Sequence, residues 1–467
     1  MTEFIQSILT TQFCVSVIVL AIAHGSIMGL VGFSTYLERK ISAYIQDRIG
    51  PNRTGFDFGL PFLSFLKGFL GIGQMLADGL KFFLKEDYTP TNVDKTLFTI
   101  APALAIIPAL IGFVIIPWGG YIALPAAGDL AVFQFLFDLP GIFGGFFEFL
   151  FGHLQGGTFV VAGASVSVGV IYLLAIASVG VYGITLGGWA SNNKYSMLGG
   201  LRATAQMISY EIPMGLALLC ALLIAGSFMP NDIIQHQTEH GWLMLSLPLP
   251  ALLFYICALA EANRTPFDNP ECEQELVAGF HTEYSSMRFA LYPMAEYAHL
   301  ITGCALFALL FMGGYQIPGI GWTSPEATGL IAMFVKINVF AVKILGLIFL
   351  AMLIRWTIPR VRYDQVMNLG WQAMIPAGML MLVVTSVMVH MGWTGLAPLF
   401  ASNVAMLVVI VIGRKILAKH FGLAASNHRV PLYGSRYSPV EGETVLAHPT
   451  HPLAIEDRPV QGTVSTV

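Results

Sequence analysis

Charge is the first thing that this sequence lacks. Only 11% of its 467 residues are charged, whereas a soluble globular domain carries about a quarter, so the usual polar surface is missing. The formal net charge of -4 favours neither a nucleic acid nor a strongly charged soluble substrate as a partner. The sequence therefore argues against a soluble binding domain.

Binding motifs are missing as well. The five cysteines are scattered and none forms a CxxC pair, so a disulfide framework, a zinc site and an iron–sulfur cluster all lack support. No glycine-rich loop lies between a strand and a helix, so nothing here predicts NADH binding. The first residues, MTEFIQS, contain Glu3 and no basic residue, so we expect the first apolar run to stay as a membrane anchor.

Long apolar runs are abundant. Hydrophobic residues make up 56% of the chain, and a membrane-crossing helix needs about 20 mostly apolar residues. The sequence predicts an all-α, polytopic membrane protein with a membrane domain over 1–391, a further helix within 392–419 and a polar tail over 420–467. The predicted spans are 13–33, 97–117, 166–188, 204–227, 243–260, 290–313, 330–354 and 371–391, with a ninth at 396–413.

The loops between these runs alternate in Lys and Arg content. Arg39 and Lys40 follow the first span, the loop 118–165 has no Lys or Arg, and the alternation continues to the last loops. Cytoplasmic loops are enriched in these residues. The pattern predicts an N-terminus outside the membrane.

Two segments are not simple spans. Residues 60–85 are apolar but carry Gln74, Asp78, Lys81 and Lys85 at helical spacing, which predicts an amphipathic helix at the membrane surface or against a partner. On these residues alone, an ordinary amphipathic helix explains the pattern at least as well as a functional one. The loop 118–165 contains an aromatic-rich segment, Phe133 to Phe151, for which we expect an interfacial or re-entrant position.

An acidic loop over 261–292 follows the fifth span, on the side predicted to be cytoplasmic. Like charges that are close together and partly desolvated cannot all ionise, so some of their pKa values rise and the group can take up and release protons. A solvated acidic loop without such a role remains an alternative. Arg264 is the one cation between the first and the last of its six carboxylates, which are Glu261, Asp268, Glu271, Glu273, Glu275 and Glu283.

Acids also lie within the predicted spans. Glu211, in SYEIP, is placed at a depth where an acid costs about 2.5–3.5 kcal/mol on insertion scales, which favours a functional role. The alternative is a structural hydrogen bond to Tyr210 or to a neighbouring helix. Glu296, Lys336 and Lys343 extend the set of ionisable span residues. These residues alone indicate a protein that handles protons or ions, either as a self-contained transporter or as part of a redox-driven pump.

Four long segments resemble a known family. YLERKISAYIQDRIGPNR (36–53), GQMLADGLKFFLKED (73–87), 187–215 and 260–297 resemble the H subunit of bacterial NADH:quinone oxidoreductase, respiratory complex I. The resemblance runs from about residue 13 to residue 391. It implies eight family helices and cytoplasmic loops that dock on two hydrophilic subunits, with small membrane subunits alongside. It further implies a bacterial inner membrane, surrounding lipid, no nucleic acid, and quinone bound at the interface while NAD, flavin and iron–sulfur clusters stay in other subunits.

The resemblance also implies roles for individual residues. The family forms the entrance and lower part of a quinone tunnel. One group of residues borders this tunnel and binds quinone, and a group of carboxyls couples quinone chemistry to proton movement. The quinone-binding residues are Glu38, Arg39, Asp78, Lys81, Arg264 and Arg288. The coupling carboxyls are Glu211, Glu261, Glu271, Glu273, Glu275 and Glu283.

The sequence departs from the family pattern at three places. The loop 118–165 is longer than expected, the span 166–188 has no acid although some relatives place one there, and the ninth span and tail are additions. Three alternatives stay open: the homologous subunit of an energy-converting hydrogenase, a stand-alone cation/proton antiporter, and a passive assembly anchor. The closeness of 260–297 to the quinone enzyme argues against the first, and the buried acids argue against the last.

Overall fold

Helices account for nearly all of the regular structure. A computed structural model describes residues 10–55, 68, 70–125, 156–270 and 276–420, with side chains to residue 413. Thirteen α-helices lie in this part of the chain: α1 Thr11–Ile45, α2 Gln74–Leu84, α3 Lys95–Ile111, α4 Gly169–Ala190, α5 Lys194–Ala225, α6 Pro230–His240, α7 Leu243–Ser246, α8 Pro248–Glu261, α9 Ser286–Phe311, α10 Leu330–Thr357, α11 Tyr363–Asn368, α12 Ile375–His390 and α13 Leu396–His420.

The predicted spans all coincide with helices. Within the described residues, eight helical segments are long and apolar enough to cross a membrane, including Leu396–Gly413 at the ninth predicted position. The fifth predicted span falls on α7 and on the shorter apolar helix α8. The all-α, polytopic membrane fold predicted from hydropathy is confirmed. The helices up to Met406 belong to one compact unit, and a second unit begins at Leu407.

Local sequence sets several helix ends. The side chain of Asp94 accepts hydrogen bonds from the amides of Thr96 and Leu97 and so caps α3. Asn193 caps α5 in the same way, through the amide of Tyr195. α5 ends at Gly226, which has a left-handed φ of 69° that glycine adopts without strain.

The core forms where α3, α4, α5 and α9 pack together. Small residues let these helices approach closely, as is usual in membranes. A Cβ atom at Gly183 of α4 would lie 2.4 Å from the backbone nitrogen of Ala105 in α3. Phe98 and Tyr284 stack with ring centroids 4.1 Å apart and join the core to the segment before α9.

A short antiparallel hairpin covers the end of the bundle that contains the N-terminus of α1. Its strands are β1 Tyr121–Leu124 and β2 Gly157–Val160. The side chain of Gln12 donates to the carbonyl of Val160 at 3.1 Å and accepts from its amide at 3.0 Å. The aromatic-rich segment 133–151 and the tail 420–467 lie almost wholly outside the described residues.

The two lysines of α10 contact backbone carbonyls. Lys343 Nζ donates to the carbonyls of Met312, Gly314 and Gln316 at 2.6–2.8 Å. Lys336 is fully buried, and its ammonium donates to the carbonyl of Ala327 at 2.6 Å. Carbonyl oxygens therefore compensate the charge of the buried Lys336 and that of the partly buried Lys343, and Lys343 holds the turn after α9.

Candidate functional site

A buried carboxylate, Glu38, lies where four parts of the chain meet. It is 8% exposed and belongs to the part of α1 farthest from the N-terminus. Arg355, in the last turn of α10, forms an ion pair with one carboxyl oxygen, and Tyr297 of α9 donates a hydrogen bond to the other. Arg264, three residues after α8, places Nη1 3.6 Å from Glu38 Oε2.

This Glu38 cluster carries a net positive charge. Two guanidinium groups face one carboxylate, and the guanidinium of Arg264 also lies 3.8 Å from the ring centroid of Tyr297. A guanidinium over an aromatic face is held by the ring quadrupole. The arrangement can attract an electron-rich oxygen and can stabilise the negative charge that reduction would place on it.

Arg39 contacts a different element from its neighbour Glu38. Its guanidinium pairs with Asp78 of α2 at 2.6 Å, and Gln74 donates to the same carboxylate at 2.9 Å. Successive helical residues point about 100° apart, because an α-helix has 3.6 residues per turn. The predicted residues Glu38 and Arg39 therefore face two separate partners, and Asp78 joins the polar stripe of α2 to α1, while Lys81 and Lys85 of the same stripe are exposed.

The opposite face of α2 is apolar and uncovered in this chain. Leu80, Phe83 and Leu84 are 55–85% exposed. Lys81 lies with its ammonium 5.7 Å from the ring centroid of Phe82. The described part of the segment 60–85 thus has the amphipathic character that the sequence predicts.

A small cavity lies beside the Glu38 cluster. Its volume is about 10 Å³, enough for about one water molecule, and Glu261, Glu296 and His299 are in its wall. Glu296 precedes Tyr297 on α9, and Glu261 lies three residues before Arg264. Two short stretches of chain therefore connect the Glu38 cluster to one pair of buried acids.

Glu211 lies on α5, which packs against α8. Its Oε1 atom is buried, and no hydrogen-bond partner for it occurs among the described residues. Tyr210 instead donates its hydroxyl to the carbonyl of Val366 at 3.0 Å. The carboxyl groups of Glu211 and Glu261 interact electrostatically. The structural alternative of a Tyr210 hydrogen bond is thus not the geometry observed.

Gln206, just over one turn before Glu211, fixes α5 to the end of α8. Its amide nitrogen is buried and donates to the carbonyls of Ala260 and Phe267 at 2.9 and 2.8 Å. These bonds hold the chain on both sides of Glu261. Their loss would free the segment that carries Arg264.

The remaining predicted residues have their own partners. Glu283 accepts a hydrogen bond from Asn193 at 2.7 Å, and Arg288 pairs with Asp87 at 3.1 Å. Asp268 pairs with Arg360 at 2.9 Å. Three predicted carboxyls lie outside the described residues, namely Glu271, Glu273 and Glu275.

A buried tyrosine lies within the acidic loop 261–292. Tyr284 lies just before α9, and burial raises the pKa of its phenol above the ordinary value. It contacts the aromatic rings of Phe98 and Tyr292, with centroids 4.1 and 5.0 Å away. This part of the acidic loop is therefore held by aromatic packing around a neutral phenol.

Sequence reasoning missed Arg355 and Tyr297. In the sequence, Arg355 stands out only as one of the basic residues that mark cytoplasmic loops, and Tyr297 does not stand out at all. They are 317 and 259 residues from Glu38, so no local spacing signals either contact. Among the described residues, no group of three or more His, Cys, Asp or Glu side chains is arranged to hold a metal ion.

Fold and site together define a class: an all-α, polytopic membrane protein with a charged cluster and coupled acids at one end of its helices. The family described as NADH dehydrogenase matches residues 17–386. An H subunit of NADH-quinone oxidoreductase from Cytophaga hutchinsonii is 41% identical over 358 residues, covering 76% of this chain and 90% of the relative. The corresponding H subunit of Flavobacterium psychrophilum is 40% identical over 379 residues, or 80% of this chain and 96% of the relative.

A third relative agrees with these two. An NADH-quinone oxidoreductase H subunit of Geobacter sulfurreducens is 42% identical over 365 residues, which cover 77% of this chain and 91% of that protein. The chain belongs to the family of NADH-quinone oxidoreductase H subunits. The resemblance noted in the sequence is thereby confirmed.

Proposed function

We propose that this chain is the membrane subunit of a proton-pumping NADH:quinone oxidoreductase that borders the quinone tunnel and couples quinone reduction to proton movement. It acts only within the assembled enzyme, since electrons arrive through other subunits. Quinone, the hydrophilic subunits and the small membrane subunits are its partners. We further propose a location in the bacterial inner membrane with the N-terminus outside.

One observation carries this proposal: the Glu38 cluster is connected to buried acids. Tyr297 contacts Glu38, and its neighbour Glu296 shares a small cavity with Glu261. Arg264 makes a second connection from Glu38 to the end of α8. A charge change beside Glu38 is therefore felt at Glu261, and from there at Glu211.

The mechanism uses electrostatics rather than a cofactor in this chain. When quinone is reduced, negative charge develops near the guanidinium groups of Arg264 and Arg355. That charge weakens their hold on Glu38, and the carboxyls of Glu261 and Glu211 respond by taking up or releasing protons. Coupling of this kind is large only where water is scarce, because low dielectric strengthens charge interactions. On this proposal, the path by which quinone approaches the Glu38 cluster is lined by the acidic loop 261–292 and by Asp78, Lys81 and Arg288.

Substitution of the buried acids in the assembled enzyme tests the proposal. Glu211→Gln and Glu261→Gln should strongly reduce NADH:quinone turnover and proton pumping, because an amide cannot carry the proton. NADH oxidation with ferricyanide should stay unchanged, since it bypasses the membrane subunit. Glu239→Gln is the matched control, because Glu239 is an exposed acid of α6. Normal quinone reduction and pumping in both variants would contradict the proposal.

A further inference from the structure

A long apolar groove lies on the side of the helix bundle. α1 and α10 both pack on α9, and the space between them has a volume of about 490 Å³. One wall is the face of α1 from Val15 to Leu30, and the other is the face of α10 from Met333 to Leu345. Ile301 of α9 is part of the floor.

Contacts between neighbouring elements mark the two ends of this groove. At one end, Trp118 and Ile122 of the hairpin region and Val161 are part of the wall. At the other end, the ion pair between Arg355 and Glu38 joins α10 to α1 beyond the last lining residue. Both wall helices are long and apolar enough to cross a membrane, so the open side of the groove would face hydrocarbon.

The width of the groove restricts what can fill it. The stretch from Val15 to Leu30 rises about 22 Å along an α-helix. The volume of about 490 Å³ is the space open to the centre of a water molecule, so over that length the gap between the wall surfaces averages about 8 Å, still narrower than the 10–12 Å of a helix with its side chains. A single extended hydrocarbon chain does fit, because its carbon atoms approach neighbouring carbons to about 4 Å.

We propose that this groove binds one acyl chain of a phospholipid from the outer leaflet. Apart from Ser26 and Trp118, the lining side chains are apolar, so the two carbonyl groups of a quinone would lack hydrogen-bond partners. Trp118 stands at the end where the hairpin lies, and tryptophan is enriched at headgroup depth. Its indole N–H is buried and has no partner among the described residues, so a small ring movement would let it donate to a lipid ester.

The physical reason for occupancy is packing. Lipid tails are as apolar as the groove, so transfer from bilayer to groove brings no hydrophobic gain. An empty groove, however, would leave its wall atoms without dispersion contacts. A chain that enters restores those contacts and joins α1 to α10 along their length, beside the Glu38 cluster.

Photolabelling of the intact complex in nanodiscs tests this inference. The probe is phosphatidylethanolamine with a diazirine on its acyl chain, and the labelled peptides are mapped by mass spectrometry. We expect labels on 15–30 and 333–345. Ala341→Phe, which fills the groove, should abolish them, and Leu345→Trp offers a second filling variant. Val342→Phe is the matched control, because Val342 is 66% exposed and lies outside the groove.

Three results would overturn the inference. One is labelling that persists in both filling variants, as at any lipid-facing surface. Another is labelling by a diazirine-bearing isoprenoid alcohol in place of the phospholipid, which would assign the groove to a quinone tail. The third is no labelling, as expected if residues 126–155 or another subunit filled the groove. NADH:ferricyanide and NADH:quinone activities report assembly of each variant independently of lipid binding.

Discussion

Replacing Glu38 by glutamine should break both ion pairs of the Glu38 cluster while keeping the shape of the side chain. Glutamine is nearly isosteric and can still accept the hydrogen bond from Tyr297. It removes the negative charge that now compensates Arg264 and Arg355. The two guanidinium groups would then repel each other, and each would reorient toward water.

The size of the effect follows from the geometry. At the 3.6 Å between Arg264 Nη1 and Glu38 Oε2, an effective dielectric constant of about 20 gives an attraction of about 5 kcal/mol. Desolvation offsets part of that energy, and breaking one partner of a buried ion pair costs about 3–5 kcal/mol. Because the side chain of Arg355 is 32% exposed, we take the lower end, about 3 kcal/mol. A loss of about 3 kcal/mol in transition-state stabilisation lowers a rate by roughly a hundredfold.

The assay is NADH:quinone turnover in membranes that contain the assembled enzyme. We expect kcat/KM for quinone to fall by about a hundredfold in Glu38→Gln, the rate equivalent of about 3 kcal/mol. NADH:ferricyanide activity should be unchanged, and Glu239→Gln should behave as wild type. A kcat/KM for quinone within about twofold of wild type, in an enzyme with normal ferricyanide activity, would refute the reasoning, since about 3 kcal/mol was expected.

Four further outcomes are expected. Lys343→Met should lower the Tm of the purified complex, because three carbonyls in the turn after α9 lose their donor; an unchanged Tm would show that the turn holds without it. Gly183→Ala should impair assembly on native gels, because its Cβ would meet the backbone of α3, whereas Gly346→Ala, with open space around it, should not. Burial raises the pKa of Tyr284, so its folded form holds the proton more tightly than the unfolded form does. The stability it contributes is present below about pH 10 and is lost as pH rises further, so Tyr284→Phe should make alkaline unfolding, followed by circular dichroism, less steep above about pH 10. The chain alone in proteoliposomes should move no cations in response to a pH gradient; autonomous cation flux would favour the antiporter alternative.

Hydropathy alone predicted the positions of the apolar helices, although the fifth of the nine predicted spans falls on α7 and the shorter apolar helix α8 rather than on one long helix. Its windows were too short at the helix ends that carry charged residues, however. The first predicted span ends at residue 33, whereas α1 continues to Ile45. Glu38, Arg39 and Lys40 lower the hydropathy there, but Glu, Arg and Lys are good helix formers, so the helix does not stop. A hydropathy window marks the apolar part of a helix and not the full length of the helix.

The hairpin was not predicted. Its strands have only four residues each, and Tyr121–Leu124 shows no strict alternation of apolar and polar residues. Its position depends on distant groups, because Gln12 binds Val160 and the carbonyl of Thr328 binds the amide of Ala123. Contacts between residues more than a hundred positions apart leave no trace in local periodicity.

The sequence predicted several residues of the candidate site but not which of them contact one another. Family similarity indicated Glu38, Arg264 and Glu261, and the structure places the first two in one cluster. It could not indicate that Arg355 would join them, since a basic residue at a helix end has an equally good explanation as a topology signal. The position of Glu211 within an apolar span distinguishes it from surface acids in the sequence. Which acid it lies near is set by helix packing, which the sequence does not show.

Quinone photolabelling tests the central claim most directly. An azido-quinone should be reduced by the intact complex in the dark and, after illumination, should label peptides from 36–53 or 260–297, where Glu38 and Arg264 lie. Glu38→Gln should weaken that labelling. A label confined to other subunits, with neither segment modified in an active enzyme, would contradict the account.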